Sequence, residues 1–173
     1  MVYAQSMYPV KDTDLAYLAG ILDADGVITI ARIKAAPHVK NGSPHYFAKV
    51  EVQMSERETI EHLAGLYDRH IMIKKPTANM VKQAYRISWQ AKIAAALMEQ
   101  VVSYLVLKKP QAIVLMEFQA AMTAGGRNPG RPLTPEQLAM RERYFLEMRR
   151  LKGARPKGLR SQAGSAADYP SAA

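Results

Sequence analysis

Apolar residues recur along this chain with two different periods, and the switches between them mark out the elements. Over residues 13–24, Leu15, Leu18, Ala19 and Leu22 fall at i, i+3, i+4 and i+7, the stripe of an amphipathic helix. Thr13 or Asp12 can cap its start. Gly26, which tolerates a positive φ, is expected to end it. Residues 27–34 (VITIARIK) are β-branched and then alternate, with Ala31 and Ile33 expected on one face and Arg32 and Lys34 on the other. After a polar turn containing Pro37, Asn41, Gly42, Ser43 and Pro44, residues 46–53 alternate again, Val50 and Val52 opposing Lys49 and Glu51. The two segments make a long hairpin.

Ser55 with Glu58 reads as a capping box, and Ile60, Leu63, Ala64 and Tyr67 supply the apolar stripe of the helix it opens. Residues 71–75 and 82–89 form a second hairpin, in which Tyr85, Ile87 and Trp89 alternate with Ala84, Arg86 and Ser88. Helices follow over 91–105 and 110–123, the second with Pro110 at its permissive first position. A Gly/Pro connector then precedes a last helix opened by Thr134, Pro135 and Gln137. The order is αββαββα plus C-terminal helices. Hairpins rather than βαβ crossovers make this an α+β domain, an antiparallel sheet with helices on one face. Residues 1–152 are assigned to the domain and 153–173, rich in Gly, Ala, Ser and Pro, to a disordered tail.

Composition narrows the chemistry. The 173 residues contain no Cys, which excludes a disulfide framework, a thiolate-ligated metal and a thiol nucleophile. The hydrophobic fraction of 49% suffices for a core, yet no run is long enough to span a bilayer, and the first fourteen residues lack the pattern of a signal peptide. A soluble, intracellular protein is expected. The formal charge is +9, concentrated in residues 27–92 and 141–160, and a balance of this size favours a polyanion such as nucleic acid. Arg32, Lys34, Lys49, Lys74, Lys82 and Arg86 lie on the two β-ribbons, and a two-stranded ribbon fits a DNA major groove. Tyr46 and Glu51 join them as candidates for reading bases. His38, His45, His62 and His70 show no metal-ligand spacing.

The first helix is unusual in two ways. Ala16, Gly20 and Ala24 form a stripe of small residues that lets a second helix approach closely. Asp23 and Asp25 sit at its C-terminal end, where the macrodipole disfavours negative charge and a bound cation would offset the cost. Asp25 is thus a candidate hard-oxygen ligand for Mg²⁺, and Asp23 a local capping or packing residue.

The nonapeptide LAGILDADG at 18–26 resembles the signature of the LAGLIDADG homing endonucleases, with only Ile21 and Leu22 exchanged, and the resemblance extends through the αββαββα order to about residue 150. It implies two signature helices packed across a two-fold axis through Ala16, Gly20 and Ala24, with Asp25 and the Ala24 carbonyl holding a divalent metal, Mg²⁺ or Mn²⁺, at the scissile phosphate. A second approximation, LAGLYD at 63–68, has His70 and Ile71 where the acid and glycine should be, and reads as an ordinary core helix. One motif implies a homodimer. By resemblance, Gln53, Arg57 and Lys108 complete the active site. Strand parity leaves Met54 as an alternative to Gln53, and Lys109 is a rival to Lys108. The implied activity is hydrolysis of both strands of a long, pseudo-palindromic site in double-stranded DNA, encoded within an intron or intein. The same fold also serves RNA maturases and non-cleaving DNA-binding regulators, so RNA stays open as a partner.

Overall fold

The structure, a computed structural model, describes residues 10–34, 43–76, 82–125 and 133–153. The elements run α1 (Asp12–Ala24), β1 (Val27–Ile33), β2 (His45–Met54), α2 (Arg57–Leu66), β3 (Met72–Lys74), β4 (Ala84–Gln90), α3 (Ala91–Val101), α4 (Lys109–Ala124) and α5 (Pro135–Leu151). The strands form one antiparallel sheet in the order β1-β2-β4-β3, so the two hairpins meet through their inner strands. The expected α+β architecture is what forms. The turn of the first hairpin over 35–42, most of the Gly/Pro connector and the tail beyond Gly153 lie outside the described residues.

Strand period decides what the sheet buries. Ile28, Ile30, Tyr46, Ala48, Val50, Val52, Ile87 and Trp89 share one parity and are all almost fully buried. They pack under α3 and α4, whose Ala94, Met98, Val101, Ala112, Leu115 and Phe118 complete the core with Leu18, Ala19 and Leu22 of α1. Side chains of the opposite parity face away from the helices, and no described element covers that face.

Three local expectations are revised. Helix α1 begins at Asp12 with Lys11 as its N-cap, and no side chain caps it; Asp12 and Asp14 lie in the first turn, where the dipole favours them. Helix α2 is entered through Glu56, and Ser55 Oγ donates to the Glu56 carboxylate at 2.7 Å instead of forming the capping box with Glu58. Gly26 does not take a positive φ. It is required for space, because a Cβ there would stand 2.6 Å from Leu22 Cα. The expected box at α5 does form: Thr134 accepts from the Gln137 N–H and the Gln137 side chain accepts from the Thr134 N–H.

Candidate functional site

The C-terminal end of α1 is set by its own burial and by a distant loop. Leu18, Ala19 and Leu22 anchor one side of the helix, so Ala16, Gly20 and Ala24 are left exposed on the other. The last carbonyls are partly satisfied locally, Ile21 O by the N–H groups of Asp25 and Gly26, Leu22 O by that of Gly26. No basic residue occupies the last turn. Its place is taken by Lys108, the residue before α4, whose Nζ donates to Leu22 O at 2.7 Å, to Gly26 O at 2.8 Å and, more weakly, to Ala24 O at 3.4 Å. A cation at this terminus complements the macrodipole.

Asp23 holds the same junction from the other direction. Its carboxylate accepts from the backbone N–H groups of Val106 (2.7 Å), Leu107 (3.2 Å) and Lys108 (2.8 Å). Partial burial raises its pKa, but the three N–H donors and the Lys108 charge outweigh this, and the carboxyl lies below its ordinary value. Asp25 is different. It is exposed, with a helical backbone (φ −109°, ψ −6°), and its carboxylate makes no hydrogen bond or ion pair with another described residue. A bare carboxylate at a helix C-terminus costs stability.

Next to this end lies the open face of the sheet. Register places Val27, Glu51 and Ser88 in one row, Thr29, Lys49 and Gln90 in the next, and Gln53 opposite Arg86 on the other side. Glu51 Oε2 lies 2.7 Å from Lys49 Nζ and 3.5 Å from Arg86 Nη1, so one carboxylate joins the two central cations. Arg86 also donates from Nη2 to Met72 Sδ at 3.4 Å, while its Nε is buried without a hydrogen-bond partner. Three charged side chains are thus grouped, and only partly satisfied, on a surface that no described element covers. Lys74 shares this parity on the edge strand β3, and Lys82 is exposed just before β4.

No family model and no curated protein matches the sequence. Solved structures do match its fold. The homing endonuclease I-CvuI, in complex with DNA, superposes with a TM-score of 0.62 at 15% identity, over 87% of this chain and 86% of that one. The archaeal intron-encoded homing endonuclease I-Vdi141I, complexed with DNA, gives 0.56 at 17% identity, over 86% and 88%. The LAGLIDADG homing endonuclease I-SmaMI, bound to cleaved DNA, gives 0.55 at 17% identity, over 91% of this chain but only 49% of that one. The chain has the LAGLIDADG homing endonuclease fold.

Within the LAGLIDADG fold the residues selected from sequence separate into three groups. Ala24, Asp25 and Lys108 meet at the end of α1, and it is Lys108, not the exposed Lys109, that reaches this helix. Lys49, Glu51, Gln53, Lys74 and Arg86 share the open face; Met54 lies on the other side and packs against the core. Arg57 stands apart. It is an exposed first residue of α2, bonded to Glu61 at 2.7 Å, and that bond raises its pKa.

Arg32 and Tyr46 are corrections. Both carry the parity of Ile28 and Ile30 and point toward α5, while Ala31 and Ile33 occupy the open face. Tyr46 is 1% exposed and donates its hydroxyl to Glu142, and Arg32 Nη1 donates to the same carboxylate at 3.1 Å. Burial, followed by the bond to Glu142, pushes the Tyr46 pKa up to about 12. Tyr46 is thus buried on the helix side of the sheet, and Arg32, though exposed, lies on that same side and not on the open face. The alternation of Ala31 and Ile33 with Arg32 and Lys34 suggests the opposite facing, and the parity shared by Ile28, Ile30 and Arg32 is the signal that outranks it. Lys34 itself is exposed just past the end of β1. Glu142 was not among the residues singled out from sequence; its partners are about a hundred residues away.

Proposed function

We propose that the protein is a site-specific DNA endonuclease that works as a homodimer. The observation that carries this reading is Asp25: an exposed carboxylate without a partner among the described residues, held at the unfavourable end of a helix, beside Lys108 and next to a sheet face that carries Lys49, Glu51 and Arg86. Among the described residues no group of three or more His, Asp or Glu side chains is arranged to hold a metal. One chain offers one carboxylate, and the exposed Ala16, Gly20 and Ala24 stripe provides the contact that brings a second Asp25 alongside.

The donors present fit a hard divalent cation, since Asp25 and the Ala24 carbonyl are oxygen ligands that leave room for water and phosphate oxygens. When bound there, Mg²⁺ would polarise a phosphodiester oxygen and lower the pKa of an attacking water. The chain's own residues do the rest. Lys108, fixed by three carbonyls and by the Asp23 brace, presents positive charge to the phosphate oxygens, where developing negative charge must be stabilised. Gln53 offers an amide at the adjoining end of the open face to orient water, and Arg57, exposed at the start of α2 and ion-paired with Glu61, supplies a further cation. Lys49, Glu51 and Arg86 contact base edges, whereas Lys34, Lys74 and Lys82 engage phosphates and set register.

The test is cleavage of a plasmid library of random sites with Mg²⁺, by the protein and by Asp25→Asn. Recovery of one near-palindromic site, cut only by the unmutated protein while both bind it, is the expected result. DNA binding without cutting by either protein would transfer the assignment to a non-cleaving regulator. Preferential binding of a structured intron RNA would transfer it to a maturase.

A further inference from the structure

The open face changes character along its length. Near Asp25 its rows are mostly polar: Gln53 opposite Arg86, Glu51 between Val27 and Ser88, Lys49 between Thr29 and Gln90. The two outermost rows are apolar and aromatic, Ala31 opposite Phe47 and Ile33 opposite His45. Ile33 is 56% exposed, and the His45 ring stacks on Phe47 with centroids 5.4 Å apart. No described element covers this patch. Apolar surface left in water on a strongly basic protein calls for an occupant that is both anionic and locally apolar.

A major groove presents donors and acceptors on every base pair and one apolar feature, the C5 methyl group of thymine. We infer that Ala31, Ile33 and Phe47 read thymine methyl groups in the outer part of each half-site, an inference that rests on the DNA-binding function proposed above. Specificity is then divided along the ribbon: hydrogen bonding from Lys49, Glu51 and Arg86 near the cut, methyl contact farther out. The spacing agrees. Same-face residues on a strand are about 6.6 Å apart, close to two base steps of about 3.4 Å. Phe47 and His45 are the fourth and sixth residues from Glu51 along β2, which sets the thymine contacts about four to six base pairs outward of the pair read by Glu51. The exposed Lys34 stands next to Ile33, and Lys49, ion-paired with Glu51, follows Phe47 on the same face, so charged groups flank the patch at both ends, which favours nucleic acid over an apolar protein partner.

The experiment is selection of bound duplexes from two random libraries, one made with thymine and one with uracil, which lacks only the methyl group. The full chain is expected to select thymine at these outer positions and to lose that preference with uracil, by about fourfold in affinity for each methyl lost. Ile33→Ser and Phe47→Ser should show the same loss in the thymine library while central preferences persist; both positions keep solvent exposure, and circular dichroism melting checks that the variants are folded. A central site selected with no outer thymine preference, or with an A·T preference that survives in uracil, overturns the inference but leaves the endonuclease reading intact. Loss of self-association in Ile33→Ser with unchanged base preference would also overturn it and assign the patch to a second copy. If neither library yields a selected sequence, the DNA-binding reading falls, and this inference with it.

Discussion

Asp23 and Asp25 stand two residues apart on one helix end, yet their carboxylates meet different surroundings. Asp23 faces three backbone donors and is structural; Asp25 faces solvent and is available for chemistry. Asp23→Ala is expected to cost about 1–3 kcal/mol, measured by urea unfolding at pH 7, because it strips a charged acceptor from three N–H groups. Since the folded carboxyl titrates below its ordinary value, this contribution is complete above the unfolded-state pKa near 3.8 and disappears as pH falls through the folded one. The gap between the two proteins should therefore stay constant from neutral pH to about 5 and close in stronger acid. Asp25→Asn is expected to behave oppositely: stability equal or slightly higher, because a charge opposed by the dipole is gone, and cleavage reduced by at least a hundredfold in a plasmid assay. The motif makes both acids visible in the sequence. Which one is braced and which one bare depends on residues 106–108, far along the chain.

At the scale of elements, α5 decides how β1 and β2 are read. Arg32 lies over the rings of Tyr46 and Phe145, at 5.8 and 5.6 Å from their centroids, and Glu142 takes both the guanidinium and the phenol. This ties the outer part of the first hairpin to the C-terminal helix. Tyr46→Phe is expected to destabilise the protein by about 1–2 kcal/mol at neutral pH, seen as a lower Tm. Its pH dependence carries a sign. A phenol raised to about 12 from an ordinary 10 contributes fully below pH 10 and loses its contribution as pH rises toward 12, so the advantage over the variant shrinks in that window. Capping was legible where it was local. Thr134 and Gln137 close their box because Pro135 sets the first helical residue, whereas β2 extends to Met54 and the chain enters α2 one residue later than Ser55 suggests.

For the whole molecule the prediction concerns assembly. A Cβ at Gly20 would find no atom within 4 Å, so the chain's own packing does not require glycine there. Gly20→Leu is expected to leave the monomer folded, helped by a helix propensity gain of about 1 kcal/mol, and to block close approach of a second α1. Sedimentation should then shift from dimer to monomer, with cleavage lost in the same sample. A variant that remains dimeric and active would remove α1 from the interface. No helix among the described residues is long and apolar enough to cross a membrane.

What the sequence determined by itself was whatever depends on neighbours a few residues apart: the αββαββα order, the antiparallel pairing within each hairpin, the signature nonapeptide and the buried parity of Val50, Val52, Ile87 and Trp89. These follow from hydrophobic period and turn chemistry, which act over one or two turns of chain. The tertiary structure decided the rest. It turned Arg32 and Tyr46 toward α5, set Lys108 on the end of α1, brought Asp23 to the loop before α4 and left an apolar patch at the outer end of the open face. The first three of these rest on residues roughly 80 to 110 positions apart, whose meeting is fixed by how the helices pack on the sheet, and no local pattern encodes that distance.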